Sequence, residues 1–199
     1  MKYIIKNIND YKSINLDNFK TQLKHRDDKL RSFLGRLSLK ELDNNYNENI
    51  IKFNKYGKPY FIDNHIFFNI SHSYDYVISV TSNNLIGVDI EKIREVNINT
   101  INQFATKNEK KYILSSKENI YKRLFQIYTL KEAYFKMIGT NLNEILNVEF
   151  NIRNNKIYCS DNTVKCYFIN NLDDYVISYV EKKNESNVWL IIFYPKEIL

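Results

Sequence analysis

Glycine and proline are scarce in this chain, at four and two of 199 residues. So little of either leaves no material for flexible linkers or a disordered tail. One domain, or two small ones, with ample chain to bury a core is therefore expected. Cysteine occurs twice, and Cys159 and Cys166 have neither metal-site spacing nor a nearby histidine. Reduced thiols in a cytoplasmic protein are the expectation. No apolar run approaches the length of a membrane span. The N-terminal run Met1–Asn7 is too short in apolar residues for a signal peptide. A soluble protein with no membrane partner is the reading.

What the chain does have is aromatic and positive. Sixteen tyrosines and twelve phenylalanines make the segments between polar stretches easy to order, and the formal charge is +6. That charge is uneven. Lys and Arg outnumber Asp and Glu by 13 to 7 in residues 1–60 and by 8 to 3 in residues 101–140, but fall to 2 against 5 in residues 61–100. Such a balance suits an anionic partner: a polyphosphate ligand, an acidic protein or nucleic acid.

An internal echo bears on architecture. Asp75-Tyr76-Val77-Ile78-Ser79 returns as Asp174-Tyr175-Val176-Ile177-Ser178. A basic, helix-like segment at Lys29–Leu37 has a counterpart at Leu124–Ile138 at about the same offset. The reading is an α+β fold of two similar pseudo-symmetric α/β halves, residues 1–98 and 99–199. Antiparallel strands pack on helices in each, and the divide lies in the polar run Asn97–Thr100. Strands are expected at Tyr3–Lys6, Ile66–Ile70, Tyr76–Thr81, Leu85–Ile90, Val148–Arg153, Lys156–Cys159, Val164–Phe168, Tyr175–Tyr179 and Trp189–Phe193. Residues 76–81 and 85–90, and 148–153 and 156–159, read as hairpins. Helices are expected at Asp17–Lys24, Asp27–Lys40, Ile98–Phe104, Asn108–Leu114 and Ser116–Ile138, the last ended by Gly139.

The chemistry begins in Gly87-Val88-Asp89-Ile90-Glu91. Side chains alternate along a strand, so Asp89 and Glu91 share a face while Val88 and Ile90 point the other way. Two like charges on one face of an apolar strand are costly unless something positive lies between them. A hard divalent cation such as Mg²⁺ answers that need, because it takes oxygen ligands and keeps positions for water and substrate phosphates. Glu132, in Lys131-Glu132-Ala133-Tyr134-Phe135-Lys136, is a candidate third ligand between lysines suited to phosphate. Standing alone, Glu132 and Lys136 at i,i+4 would be an ordinary surface ion pair. Phe68-Asn69-Ile70-Ser71-His72-Ser73 ends a strand in hydroxyls and an imidazole that can grip phosphate oxygens. In isolation it reads as a strand-to-turn junction. Tyr56-Gly57-Lys58-Pro59 is a turn with an ammonium at its tip, and Arg31 lies in the most basic stretch.

Taken in order, Arg31-x-x-x-Gly35, Gly57-Lys58-Pro59, Phe68–Ser73, Gly87–Glu91, Phe104–Glu109 and Lys131-Glu132-Ala133-x-x-Lys136 resemble the Sfp-type 4′-phosphopantetheinyl transferases over residues 26–142. Tyr128 stands where many relatives have Trp. The resemblance implies an active site in the cleft between two halves. There the phosphopantetheine arm of coenzyme A would pass, with Mg²⁺, to a serine of an acyl or peptidyl carrier protein, and 3′,5′-ADP would leave. Carried over residue by residue, it makes Asp89, Glu91 and Glu132 metal ligands. Arg31, Lys58, Ser71, His72, Lys131 and Lys136 become coenzyme A contacts, Lys136 also assisting the leaving phosphate. Glu109 is a candidate base for the serine proton, with a metal-linked water as the alternative. The expected partners are coenzyme A and an acidic carrier, with no nucleic acid, and the expected state is a monomer. Two other readings compete with it. One is a non-catalytic coenzyme A module; the other is a nucleic-acid binder or nuclease, which explains the charge but not the Asn-Ile-Ser-His-Ser and Gly-Lys-Pro elements.

Overall fold

A computed structural model describes residues 1–19, 21–63, 65–140, 142–154 and 156–183. The strand expected at Trp189–Phe193 lies outside the described residues. Among the described residues, ten strands and four α-helices follow in order: β1 Lys2–Asn7, α1 Arg26–Leu42, β2 Ile51–Phe53, β3 Pro59–Phe61, β4 Phe67–Ser73, β5 Tyr76–Ser82, β6 Ile86–Lys92, α2 Ile101–Phe104, α3 Lys107–Leu114, α4 Ile120–Ile138, β7 Phe150–Arg153, β8 Lys156–Cys159, β9 Val164–Phe168 and β10 Tyr175–Lys182. They form two three-stranded antiparallel sheets, β1-β5-β4 and β6-β10-β9, and two small hairpins, β2-β3 and β7-β8. Among the described residues no helix is long and apolar enough to cross a membrane.

The echo is the middle of each sheet. Tyr76–Ser79 opens β5 and Tyr175–Ser178 opens β10, both central strands. The carbonyls of Asp75 and Asp174 receive matching backbone bonds, from Ile8 at 2.7 Å and from Ile93 at 2.8 Å. In each half the fully buried serine of the repeat ties the central strand to the long helix. Ser79 Oγ donates to Gly35 O of α1 at 3.0 Å, and Ser178 Oγ lies 2.6 Å from Thr129 Oγ1 of α4. Repeat-related residues also touch each other. Tyr76 and Tyr175 meet edge-on at 5.0 Å between ring centroids, and Ser82 Oγ donates to Glu181. Such contacts mark the line along which the two central strands approach each other. Ile78, Val80, Ile177, Val88 and Ile90 form the apolar layer around it.

Each helix forms where spacing and termini agree. In α1, Leu30, Leu34, Ser38 and Leu39 recur at helical spacing on the buried face, and Asp27 and Asp28 complement the positive N-terminal end. In α3, Thr106 caps the helix by accepting from Glu109 N–H while Glu109 accepts from Thr106 N–H, a capping box. α4 stops at Gly139, which adopts the left-handed conformation with φ 71°, as expected of that glycine.

Two expectations differ from the structure. Residues 76–81 and 85–90 do not form a hairpin, because β5 pairs with β4 and β1 while β6 pairs with β10. Sheet membership therefore changes at residues 83–85. No helix covers Asp17–Lys24; the described residues there are turn or irregular. The hairpin β2-β3 is an addition to the expected elements, since it carries too few residues to show a strand period.

Candidate active site

β4 and β6 run side by side in the same direction but belong to different sheets, and side chains rather than a backbone ladder join them. Asn69 Oδ1 accepts from Val88 N–H at 3.0 Å, Ser71 Oγ donates to Asp89 at 2.8 Å, and Ser73 Oγ donates to Glu91 at 2.9 Å. The alternating Asn-x-Ser-x-Ser of β4 thus matches the alternating Asp-x-Glu of β6. Against the exposed side of this seam lies α4, which approaches closely because Gly87 has no side chain. A Cβ there would fall 2.0 Å from Ala133 O and 2.4 Å from Met137 N. Glycine at this position is a packing requirement of the helix–strand contact.

The result is a pocket of about 230 Å³ lined by Ile70, Ser71, His72, Asp89, Glu91, Tyr128, Glu132 and Lys136. Tyr128, Glu132 and Lys136 are successive i,i+4 positions on one stripe of α4. Lys136 Nζ reaches Asp89 Oδ1 at 2.6 Å and donates to Ser71 Oγ at 3.0 Å. Burial pushes the Asp89 carboxyl up to about 6, against the pull of the Lys136 ammonium and the Ser71 hydroxyl. Its second oxygen, Oδ2, is buried without a hydrogen-bond partner, a costly state for a carboxylate. Glu91 is held by Ser73 and by Arg94 Nη1 at 3.1 Å. Glu132 accepts a hydrogen bond from Tyr128, whose phenol burial and the Glu132 charge push upward. The imidazole of His72 has an accessible edge, and partial desolvation with the Arg31 and Lys136 charges holds it below its ordinary value.

Among the described residues no three His, Cys, Asp or Glu side chains already converge as a metal cluster. Fit to a hard cation rests on the donor chemistry: three carboxylates line one pocket, and one buried carboxylate oxygen lacks a partner. A larger open cavity, about 830 Å³ along β8–β10 and the cysteines, includes none of Asp89, Glu91 and Glu132.

Six of the expected site residues, Ser71, His72, Asp89, Glu91, Glu132 and Lys136, line this pocket. Four others sit elsewhere. Glu109 and Lys131 form a fully buried ion pair at 2.9 Å. Lys131 Nζ also donates to the carbonyls of Ile145 and Val148 at 2.8 and 2.9 Å, and Glu109 accepts from the N–H of Phe150 and Thr106 at 2.8 and 2.7 Å. Every polar atom of the pair is engaged inside the C-terminal half. That placement sets Glu109 and Lys131 apart from the pocket: Lys131 follows the inward face of α4, one residue round from Glu132. The Lys58 ammonium, expected at the tip of its turn, points inward and donates to Met137 O at 2.6 Å. Arg31 binds Tyr74 O through Nε and Nη2 at 2.9 and 2.7 Å and pairs with Asp28 at 2.9 Å. It thereby braces a tyrosine held at φ 50°, beside His72 and Ser73. The seam roles of Asn69 and Ser73 and the fit of Gly87 were missed as such, although the alternation in β4 carried the signal.

The pocket joins three carboxylates, a lysine, a serine and a histidine at the seam between the two sheets. Residues 85–186, just over half of the chain, match the family model described as the 4′-phosphopantetheinyl transferase superfamily. The chain belongs to that superfamily. It is similar to the 4′-phosphopantetheinyl transferase gsp of Aneurinibacillus migulanus, 40% identical over 58% of this chain and 51% of the relative. It is also similar to ffp of Bacillus subtilis, 33% identical over 59% and 56%, and to Sfp of Bacillus subtilis (strain 168), 30% identical over 59% and 56%. The chain spans about half the length of the curated relatives it matches.

Proposed function

We propose that this chain transfers the 4′-phosphopantetheine arm of coenzyme A to a serine hydroxyl of an acyl or peptidyl carrier protein and releases 3′,5′-ADP. One observation carries the reading: a single pocket gathers three carboxylates, a lysine bonded to the buried one, and the hydroxyl and imidazole of Ser71 and His72. Membership of the superfamily supports the same chemistry. Asp89, Glu91 and Glu132 would hold Mg²⁺, which when bound offsets negative charge on the pyrophosphate oxygens.

The remaining work falls to the chain's own groups. His72 and Ser71 would donate to phosphate oxygens and set the orientation of the pyrophosphate. The serine oxygen attacks the β-phosphorus, and the bond from that phosphorus to the bridging oxygen breaks. Lys136, the pocket's ammonium, would stabilise the departing phosphate of 3′,5′-ADP. With Glu109 engaged in the core, Glu132 is the pocket carboxylate whose side-chain partner is a neutral phenol, and it would take the serine proton. The positive excess of the chain would favour an acidic carrier. A cytoplasmic monomer is the setting this reading implies.

Intact-mass measurement of an apo carrier protein incubated with coenzyme A, Mg²⁺ and this protein tests the reading. A phosphopantetheine gain that disappears with EDTA is expected. No gain on several carriers would overturn it.

A further inference from the structure

The C-terminal end of α4 is closed by a turn from the other half of the chain. Residues 54–58 connect β2 to β3 and hold their own shape. Asn54 Oδ1 accepts from the N–H of Tyr56 and of Lys58, both at 2.9 Å, and Asn54 N–H donates to Lys58 O at 3.0 Å. Gly57 supplies the left-handed residue the turn requires, at φ 82°. Two side chains leave this loop for the helix end. Asn54 Nδ2 donates to Gly139 O and Lys58 Nζ donates to Met137 O, each at 2.6 Å. The last carbonyls of a helix have no donor within it, and the negative end of its dipole favours a cation. Burial pushes the Lys58 ammonium down to about 8, and the sole hydrogen bond its Nζ makes among the described residues is to the α4 carbonyl.

Met137 follows Lys136 directly. The bond that fixes the Met137 carbonyl therefore fixes the backbone from which the Lys136 ammonium reaches Asp89 at 2.6 Å. On the other side, Met137 N–H lies over Gly87 of β6. The last turn of α4 is gripped between β6 and the 54–58 turn.

We propose that Asn54 and Lys58 are positioning residues that hold the last turn of α4, and with it Lys136, in register with Asp89, and that Lys58 acts through the Met137 carbonyl rather than as a phosphate ligand. The kinetic part of this inference rests on the transferase reading; the structural part does not. Two variants test it. Lys58→Met removes the cation. Asn54→Asp keeps an acceptor for the turn but has no donor for Gly139 O. Both are expected to lower kcat about tenfold, with the KM for coenzyme A changed by less than about twofold. The loss should be the same when 3′-dephospho-coenzyme A replaces coenzyme A. Hydrogen exchange at the amides of residues 135–140 should accelerate in both variants while exchange in α1 and β5 stays unchanged, which separates the effect from general loss of fold.

A KM defect for coenzyme A in Lys58→Met that vanishes with the dephospho substrate would make Lys58 a phosphate ligand and overturn the inference. Unaltered exchange at the end of α4 in Asn54→Asp would overturn it as well. If the unmodified protein transfers nothing, the transferase reading fails, and the exchange comparison still decides whether the turn holds the helix.

Discussion

The two halves share a frame and differ in what they put on it. Matching the strands through their pairing with β5 and β10 sets β1 beside β6. Ile4 pairs with Ser79 where Asp89 pairs with Ser178, and Lys6 pairs with Val77 where Glu91 pairs with Val176. The positions that carry two carboxylates in one half therefore carry an aliphatic side chain and an ammonium in the other. Lys6 is bound to Glu41 of α1 at 3.0 Å and to Tyr11. Lys2 occupies the place of Gly87, so α1 has no cue to approach β1 as α4 approaches β6. One frame can thus be built twice and carry this carboxylate pair once, because the frame depends on the apolar alternation and the pair on the residues between.

The sharpest way to break this comparison is the buried Glu109–Lys131 pair, which belongs to one half alone. Lys131→Met leaves a carboxylate buried without its cation and should cost about 3–5 kcal/mol in denaturant unfolding. Adding Glu109→Gln should return a large part of that loss. If Lys131→Met instead kept stability and lost only coenzyme A affinity, the pair would be functional and not structural. Gly87→Ala comes next, since its Cβ would strike the α4 backbone; a loss of about 3 kcal/mol is expected, whereas Lys2→Ala at the matching place should be neutral in the same unfolding assay. Asp89→Asn should lower carrier modification at least about a hundredfold, the scale of losing a group that stabilises transferring charge. Ile4→Val should leave the initial rate of mass gain unchanged.

Smaller effects sharpen the comparison. Ser79→Ala and Ser178→Ala should each cost about 1 kcal/mol, the value of a buried hydrogen bond; unequal costs in urea titrations would show that the halves are less alike than their backbones. Last is a feature of the first half only. His65 lies 2.7 Å from Asp43 and 2.6 Å from Asp63. Burial opposes its charge, but the bonds to the two carboxylates outweigh it and raise its pKa above 6.5. A raised folded value means that its contribution is complete below about 6.5, the unfolded value, and is lost as pH rises through the folded one. Thermal unfolding of His65→Gln should lack that slope.

Much of this frame was legible before the structure. The repeated Asp-Tyr-Val-Ile-Ser marked both central strands because a buried strand core leaves a contiguous apolar pattern, and Gly139 marked the end of α4 because few other residues tolerate its conformation. Alternation on β6 put Asp89 and Glu91 on one face, helical spacing on α4 put Glu132 and Lys136 on one stripe, and the Asn-Ile-Ser-His-Ser run on β4 offered Ser71 and His72; the structure brings the six to one pocket. What was not legible depends on the third dimension. Lys131 and Glu132 are neighbours in sequence but point to different faces of α4, so a motif read as a unit divides between core and pocket. Glu109 entered as a candidate base only through the family resemblance, with a solvated helix position beside Lys110 and Lys111 as the plain alternative, while its partners in the structure, Lys131 and the N–H of Phe150, come from distant positions. The pairing of β6 with β10 rather than β5 could not be read from a local hairpin pattern, since its partner lies most of a chain half away.

The seam between β4 and β6 has one more consequence. Hydroxyls and carboxylates exchange partners more readily than a backbone ladder does, so the joint between the halves is made from the same groups that would meet a ligand. A molecule that spans Ser71, His72, Asp89 and Glu132 therefore acts as a cross-link between two sheets. Its binding free energy enters the cohesion of the whole chain, and the melting curve becomes a gauge of occupancy.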